Sequence, residues 1–387
     1  YLAHVKMEPL NATARLEDGR LEIWVGNQFP TLAVLVGARL TGLPKEAVEV
    51  HTPYMGGGFG RRFEMDDVEA AVRAAQALPG RPIRVTYSRQ EDFSQDAYRP
   101  MAAARFRAAV ARGRPVALDL DLSAPSLFLS GHERRRALTG EPERDIPKRD
   151  ISLTMGAGNQ PYQIENYRVT AYRPTHLLPV GWWRSVGESQ NCFFQESILD
   201  ELAQTAGVDP QNMRLGLLKH APSRRVLERV AAMSNWGAAL PPGHARGIAY
   251  AMSTGAATAE VIEISESEAG IKLHRAYAAV HVGIALDPRN IEAQVEGALL
   301  FGLSAAMFGE ITLSDGQVEP TNFDAYPLLK LHQAPSIEVQ ILQGGREIRG
   351  VGEIGTPAAA PALGNAIYAL TGKRVRQLPF RKFFRFA

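Results

Sequence analysis

Cysteine is nearly absent: Cys192 is the only one in 387 residues. This excludes an internal disulfide, and a lone thiol holds neither an iron–sulfur cluster nor a cysteine-rich zinc site, so any cluster is expected on another chain. An excess of charge is lacking too. Against 43 Lys and Arg stand 41 Asp and Glu, a formal net charge of +2, which gives no global electrostatic case for binding nucleic acid or an anionic membrane. No run of about 18 apolar residues suggests a membrane-spanning helix, and Tyr1-Leu2-Ala3-His4 lacks a signal-peptide pattern. Because Tyr1 is not an initiator residue, further sequence upstream is expected. Neither an internal repeat nor a low-complexity tract occurs.

What is present can build a core. Hydrophobic residues make up 45% of the chain, and its length suits two domains of roughly 100–200 residues each. Leu21-Glu22-Ile23-Trp24-Val25 and Val48-Glu49-Val50-His51 alternate as half-buried strands do. The glycine loop from Met55 to Arg62 follows, and then Val68, Ala71, Val72 and Ala75 fall at helical spacing within 66–77. A second loop, Pro179 to Gly187, precedes Phe194, Ile198, Leu199 and Leu202 at the same period. Polar, Pro- and Gly-richer text at 219–247 gives way to the strand pattern Ala259 to Ile264, and this predicts a domain boundary: 1–222 and 223–387. Helices are expected at 291–303, after Asp287-Pro288, and at 357–370, with Thr356 as N-cap and Pro357 at the first helical position. Mixed elements without a regular βαβ rhythm predict an α+β fold.

Each motif has two readings. Gly56-Gly57-Gly58-Phe59-Gly60-Arg61-Arg62 lacks the Gly-Lys-Ser/Thr ending of a phosphate loop and the spacing of a dinucleotide fingerprint, which leaves either ligand contact or a tight turn. Glu353, in Gly350-Val351-Gly352-Glu353-Ile354-Gly355-Thr356, is either a general base or a solvated capping residue. If buried, its pKa rises by desolvation while a following helix N-terminus pulls it down. Trp182-Trp183-Arg184 is either a pocket lining or core aromatics with one surface arginine. Gln294-Val295-Glu296-Gly297 reads by itself as a polar helix face, and Cys192 as a small buried hydrophobe.

Taken in order, the motifs resemble the molybdenum-cofactor-binding subunit of the xanthine oxidase family, in the branch of isoquinoline 1-oxidoreductase beta subunits and bacterial membrane-associated aldehyde dehydrogenases. The resemblance rests on His4-Val5-Lys6-Met7-Glu8-Pro9, the loop 56–62, Tyr98-Arg99-Pro100, Gly181 to Gly187, Ala293 to Gly297, and Gly352-Glu353 through Leu378-Pro379. It implies two mixed α/β domains with a molybdopterin cofactor at their interface. It assigns Gly57, Gly58, Phe59, Gly60, Arg61, Arg184, Ser185, Gln294, Gly355 and Thr356 to cofactor contact, with the Gly60 amide facing an oxo ligand, and Trp183 and Val186 to the substrate pocket. Glu353 becomes the catalytic base. No protein side chain is expected to ligate molybdenum, because the pterin dithiolene holds it. The implied reaction is oxidative hydroxylation of an aldehyde or N-heterocycle with oxygen from water. The implied cofactor form is molybdopterin cytosine dinucleotide, and electrons pass to a [2Fe-2S] ferredoxin-like small subunit, with a cytochrome c subunit as a further candidate partner.

Two departures qualify the resemblance. Leu2 stands where the family often has a glutamine near the oxo ligand, and Val186 stands where xanthine oxidases carry a purine-stacking aromatic, which favours aldehydes. A Gly-Gln-Gly pterin motif is missing. The chain corresponds to the C-terminal half of such a subunit, so a second chain carrying the N-terminal molybdopterin-binding half is expected to complete the site, and activity of this chain alone is not expected. The periplasm, or the periplasmic face of the inner membrane reached through partners, is the expected location, with the cytoplasm as alternative. A non-catalytic scaffold relative is the competing function, against which Glu353 argues; a nicotinamide-dependent dehydrogenase lacks its fingerprint.

Overall fold

The computed structural model describes residues 1–140 and 150–387. β1 (Asn11–Glu17) and β2 (Arg20–Val25) form a hairpin closed by Asp18-Gly19, whose φ angles of 48° and 73° are those of the tight turn that matches strand twist. Leu21, Ile23 and Val25 point inward, as the alternation predicts. α1 (Pro30–Thr41), β3 (Val48–His51), α2 (Asp66–Ala77), β4 (Ile83–Thr86) and the short α3 (Arg89–Ser94) follow. The strands order as β3-β2-β1-β4. α1 and α2 cover one face, burying Val36, Val68 and Val72 against Leu21 and Ile23.

The next sheet joins β5 (Ala103–Ala111) and β6 (Arg114–Ser123) antiparallel, with β7 (Asn166–Tyr172) parallel to β6. α4 (Leu127–Thr139) leaves β6, and α5 (Glu188–Ala206), α6 (Pro210–Leu217) and α7 (Ala221–Met233) follow β7. A central sheet is then built from β8 (His244–Ser253), β9 (Ala256–Ser267) and β10 (Gly270–His281), with β13 (Ser336–Leu342) parallel to β10. Between β10 and β13 lie α8 (Pro288–Phe308) and a small hairpin, β11 (Leu313–Ser314) with β12 (Gln317–Val318); α9 (Ala359–Thr371) ends the core. Helices and mixed sheets without a βαβ rhythm make this an α+β fold.

β9 is buried on both faces. Ala257, Ala259 and Val261 meet Val226, Leu227 and Val230 of α7, while Ile262 and Ile264 share a cluster with Leu299 of α8 and Leu363 of α9. One hydrophobic cluster therefore draws residues from both sides of position 222. α8 is longer than its apolar spacing suggested, and by length and composition alone it is apolar enough to cross a bilayer. Its stripe of Ile291, Val295, Leu299 and Leu303 packs into the core. Thr356 does not cap α9: that helix begins at Ala359 without a side-chain cap, and the Thr356 hydroxyl donates instead to Ala298 O at 3.1 Å. The close approach of α8 satisfies the hydroxyl before the helix starts.

Glu196 of α5 is buried with Arg214 and accepts from Arg214 Nε at 2.7 Å, Tyr162 Oη at 2.6 Å and the Tyr250 amide at 2.9 Å. It thus ties α5 to α6 and β8. Glu196→Ala leaves the buried Arg214 charge with only Asp200, 4.0 Å away, as counter-ion, a loss of about 3 kcal/mol that a shift in the urea unfolding midpoint should reveal. A change below about 1 kcal/mol would show the pair to be dispensable.

Candidate active site

Four segments far apart in sequence meet at one place: the glycine loop, the arginine loop before α5, the first half of α8 and the loop before α9. Ser185 grips the last of these twice. Its amide donates to a Glu353 carboxylate oxygen, and its hydroxyl donates to Glu353 O at 2.9 Å. Arg184, buried in the same turn, donates from Nε to Gly352 O at 2.6 Å and from Nη2 to Gln294 Oε1 at 3.2 Å. Gln294, the polar face of α8 by its spacing, is in fact an arginine acceptor. The surface-arginine reading of Arg184 fails for the same reason: it is buried, and its Nε and Nη2 donors are spent inside.

This geometry is strained. Ser185 and Val186 have φ of 72° and 52°, and Phe59 has 53°, a left-handed backbone that costs non-glycine residues on the order of 1–3 kcal/mol each. Such strain persists only where surrounding contacts enforce it. Phe301 of α8 supplies some of them, stacking on Phe59 and on Trp183 with ring centroids 4.7 Å apart in each case. Glu353 answers the two readings of its motif. Burial raises its carboxyl above the usual range, and the Ser185 amide and then Arg184 offset part of the rise. The opposing pull thus comes from Ser185 and Arg184, and α9 starts six residues downstream.

The glycine loop reaches the site through particular backbone demands. Gly60 has φ 103°, and a Cβ there would lie 1.2 Å from Trp182 O, so the two loops touch backbone to backbone. Its amide donates to Gln28 Oε1 at 3.0 Å. Gln28 also sits where a Cβ on Gly58 would project, 2.5 Å away, while a Cβ on Gly57 would meet the Phe59 ring at 2.8 Å. The site therefore has a glutamine, though not at position 2: Leu2 is buried and pairs with the Arg99 backbone. Nothing in the sequence around Gly26-Asn27-Gln28 signals this contact, which spans 32 positions. The buried Arg61 is drawn elsewhere, pairing with the half-buried Asp66 and the buried Asp96. Asp96 also binds His4 Nδ1 at 2.8 Å, and His4 Nε2 lies 3.2 Å from Trp182 O. Arg61 and His4 thus hold the two loops from behind.

The space these loops frame is a cavity of about 570 Å³ that includes Gly57, Phe59, Trp183, Arg184, Gly297 and Phe301 in its lining. A Cβ on Gly297, in the cavity lining, or on Gly352 would meet no atom within 4 Å. Gly355 does the opposite: a Cβ there would lie 2.6 Å from Val295 O, and its absence lets the Glu353 loop press on α8. Thr356 seals the same seam through Ala298. Val186 lies half-buried beyond the clamp.

An apolar cavity walled by aromatic rings, floored by glycines and lined by Arg184, which ties the Glu353 loop to α8, suits a bulky organic cofactor. The chain belongs to the molybdopterin cofactor-binding domain family, as part of a molybdenum-cofactor-binding subunit of the xanthine oxidase type: one family model matches residues 1–130 and 144–216, and a second matches 197–335. It is 32% identical to the isoquinoline 1-oxidoreductase subunit beta of Brevundimonas diminuta, over 97% of this chain and 48% of that protein. To the membrane-bound aldehyde dehydrogenase (pyrroloquinoline-quinone) of Gluconacetobacter polyoxogenes it is 30% identical, over 98% of this chain and 52% of that protein. The chain thus spans about half the length of these curated relatives. Quinoline 2-oxidoreductase from Pseudomonas putida 86 has the same fold, with a TM-score of 0.79 at 14% identity over 99% of this chain and 74% of that one.

The loop contact at Gly60 gives a direct test. Gly60→Ala adds a clash with Trp182 O to an unfavourable φ and should destabilise by about 3 kcal/mol. Gly316→Ala has φ 76° but no atom near its Cβ and should lose only about 1 kcal/mol. Equal melting temperatures for the two variants would contradict the backbone contact.

Proposed function

We propose that this chain supplies the molybdopterin cradle and the base of an oxidoreductase that hydroxylates an aldehyde or an N-heterocycle with oxygen from water. The observation that carries this reading is the position of Glu353: held through one oxygen by Ser185, it sits on the loop that Arg184, a cavity-lining residue, ties to Gln294 of α8. When bound, the molybdenum cofactor supplies a two-electron sink and the Lewis acidity that makes water-derived oxygen nucleophilic.

The chain's residues do the rest. Glu353 accepts a proton at the oxygen that Ser185 leaves free, and its raised pKa makes it a stronger base than a solvated glutamate. Arg184 compensates the carboxylate charge while fixing Gln294 and Gly352. Gly57 and Phe59 line the cavity and are the residues placed to border the cofactor, Gln28 and Gln294 position Gly60 and Arg184 beside them, and Phe59, Trp183 and Phe301 give the cavity aromatic walls. Val186 offers substrate an aliphatic contact and no ring, which favours aldehydes over purine-like heterocycles. We assign the cytosine dinucleotide form, a [2Fe-2S] small subunit as electron acceptor, a second chain or segment that completes the pterin site, and a periplasmic setting to the same proposal. The relatives' names, as an oxidoreductase subunit and an aldehyde dehydrogenase, support the substrate classes. A scaffold that keeps the fold without the metal is the rival, and it gives no reason for a desolvated carboxylate held by a strained turn next to a cavity-lining arginine.

Glu353→Gln conserves volume and the Ser185 contact while removing proton acceptance. Cofactor content should persist, and the rate of reduction by substrate should fall by about 10²-fold or more. A fully loaded variant reduced at the parental rate would overturn the assignment of the base.

A further inference from the structure

Tyr98-Arg99-Pro100 takes no part in the cavity described above. Arg99 and Pro100 instead line a second cavity of about 290 Å³, which shares Trp183 and Ala305 with the first. Phe193 and Phe194 of α5 and Leu378 give it apolar walls. Met101 is in the lining and exposed, so a ligand can enter from solvent. The volume suits one small molecule, and a mostly apolar wall with few polar groups is the usual make-up of a binding cavity.

Arg99 is held there by one edge only. Its Nε donates to Ser189 Oγ at 2.9 Å and to Gln190 Oε1 at 3.3 Å, both in the first turn of α5. The guanidinium carbon lies 5.6 Å from the centre of the Trp183 ring, within cation–π range. Among the described residues its two terminal nitrogens have no hydrogen-bond partner, and no carboxylate pairs with it. Two more charged side chains line the cavity and are already paired, Glu310 with Lys382 and Arg381, and Arg376 with Glu201. Desolvation lowers the Arg99 pKa to about 10 with only Tyr326 opposing, so the group is cationic at neutral pH. A desolvated cation without a counter-ion is costly unless a ligand brings the opposite charge.

We propose that this second cavity binds an organic carboxylate with an apolar tail, its two oxygens taking the free end of the Arg99 fork. A planar guanidinium matches a carboxylate through two parallel hydrogen bonds, and the α5 contacts at Nε fix which way the fork faces. The tail lies against Phe193, Phe194 and Leu378. A phosphate fits less well: it calls for more donors than one end of one fork, Arg376 is committed to Glu201, and no lysine lines the cavity among the described residues. Oxidation of an aldehyde yields a carboxylate, so the occupant is then the enzyme's own product. That last step rests on the function proposed above, whereas the Arg99 site does not.

The test titrates the intact holoenzyme complex with benzoate in the absence of substrate, by equilibrium dialysis and by the change in tryptophan fluorescence that a ligand beside Trp183 should cause. Benzoate should bind saturably, and the uncharged benzamide about tenfold more weakly or worse, the usual worth of a charge-assisted pair. Arg99→Gln should weaken benzoate by a similar factor, while Glu353→Gln should leave its affinity unchanged. No saturable binding, equal binding of benzoate and benzamide, or parental affinity in Arg99→Gln would each overturn the site. Inorganic phosphate displacing benzoate at a lower concentration than benzoate itself requires would overturn the assignment to a carboxylate. Should Arg99→Gln not fold, the comparison of benzoate with benzamide on the parent complex still decides. A complex that binds benzoate through Arg99 without oxidising benzaldehyde keeps the site and loses the product as its occupant. One that oxidises benzaldehyde and binds no benzoate loses the site alone.

Discussion

The double grip of Ser185 on Glu353 is possible only because residues 185 and 186 adopt left-handed backbone conformations that L side chains avoid. Everything near the site serves to hold that turn. From one side α5 takes over the chain at Glu188, from another Arg184 stitches the turn to Gly352 and Gln294, and from a third Trp183 leans on Phe301. Relaxing the turn would release Glu353 into solvent, where burial could no longer raise its pKa. The strain is therefore on the same ledger as the chemistry: packing of α5, α8 and α9 supplies the free energy that keeps one carboxylate in place.

A second layer of buried charge stands behind the glycine loop. Arg61, Asp66, Asp96 and His4 form a network that anchors the loop to α2 and to the Trp182 carbonyl. Desolvated pairs of this kind add little net stability, but removing one member leaves its partner uncompensated and costs several kcal/mol. The network accordingly fixes where the glycine loop sits more than it strengthens the fold. Since Gly60 touches Trp182 backbone to backbone, the position of one loop sets that of the other.

Much of the fold was legible in the sequence. The helix over 66–77, the strand at 48–51 and the inward face of β2 follow from spacing, because periodicity directly reports which side of an element is buried. The motif order led to the family, and Arg184, Ser185, Gln294 and Glu353 are brought together as its resemblance implied. What spacing could not carry was long-range satisfaction of polar groups. Thr356 reads as a cap if the helix starts beside it, whereas in the structure Ala298 O accepts its hydroxyl. The resemblance assigns Arg61 to cofactor contact, whereas in the structure its guanidinium pairs with the carboxylates of Asp66 and Asp96. Gln28 and Phe301 carried no signal, since a loop glutamine and an apolar helix residue are ordinary until a distant partner makes them particular.

The central claim is that these loops cradle a molybdenum cofactor beside Glu353. Elemental analysis of the protein purified in complex with the chains that accompany it tests this most directly. The account predicts molybdenum in stoichiometric amount with this chain, together with a pterin released on denaturation. A correctly folded complex that is isolated without molybdenum, and that takes none up on reconstitution, would contradict it.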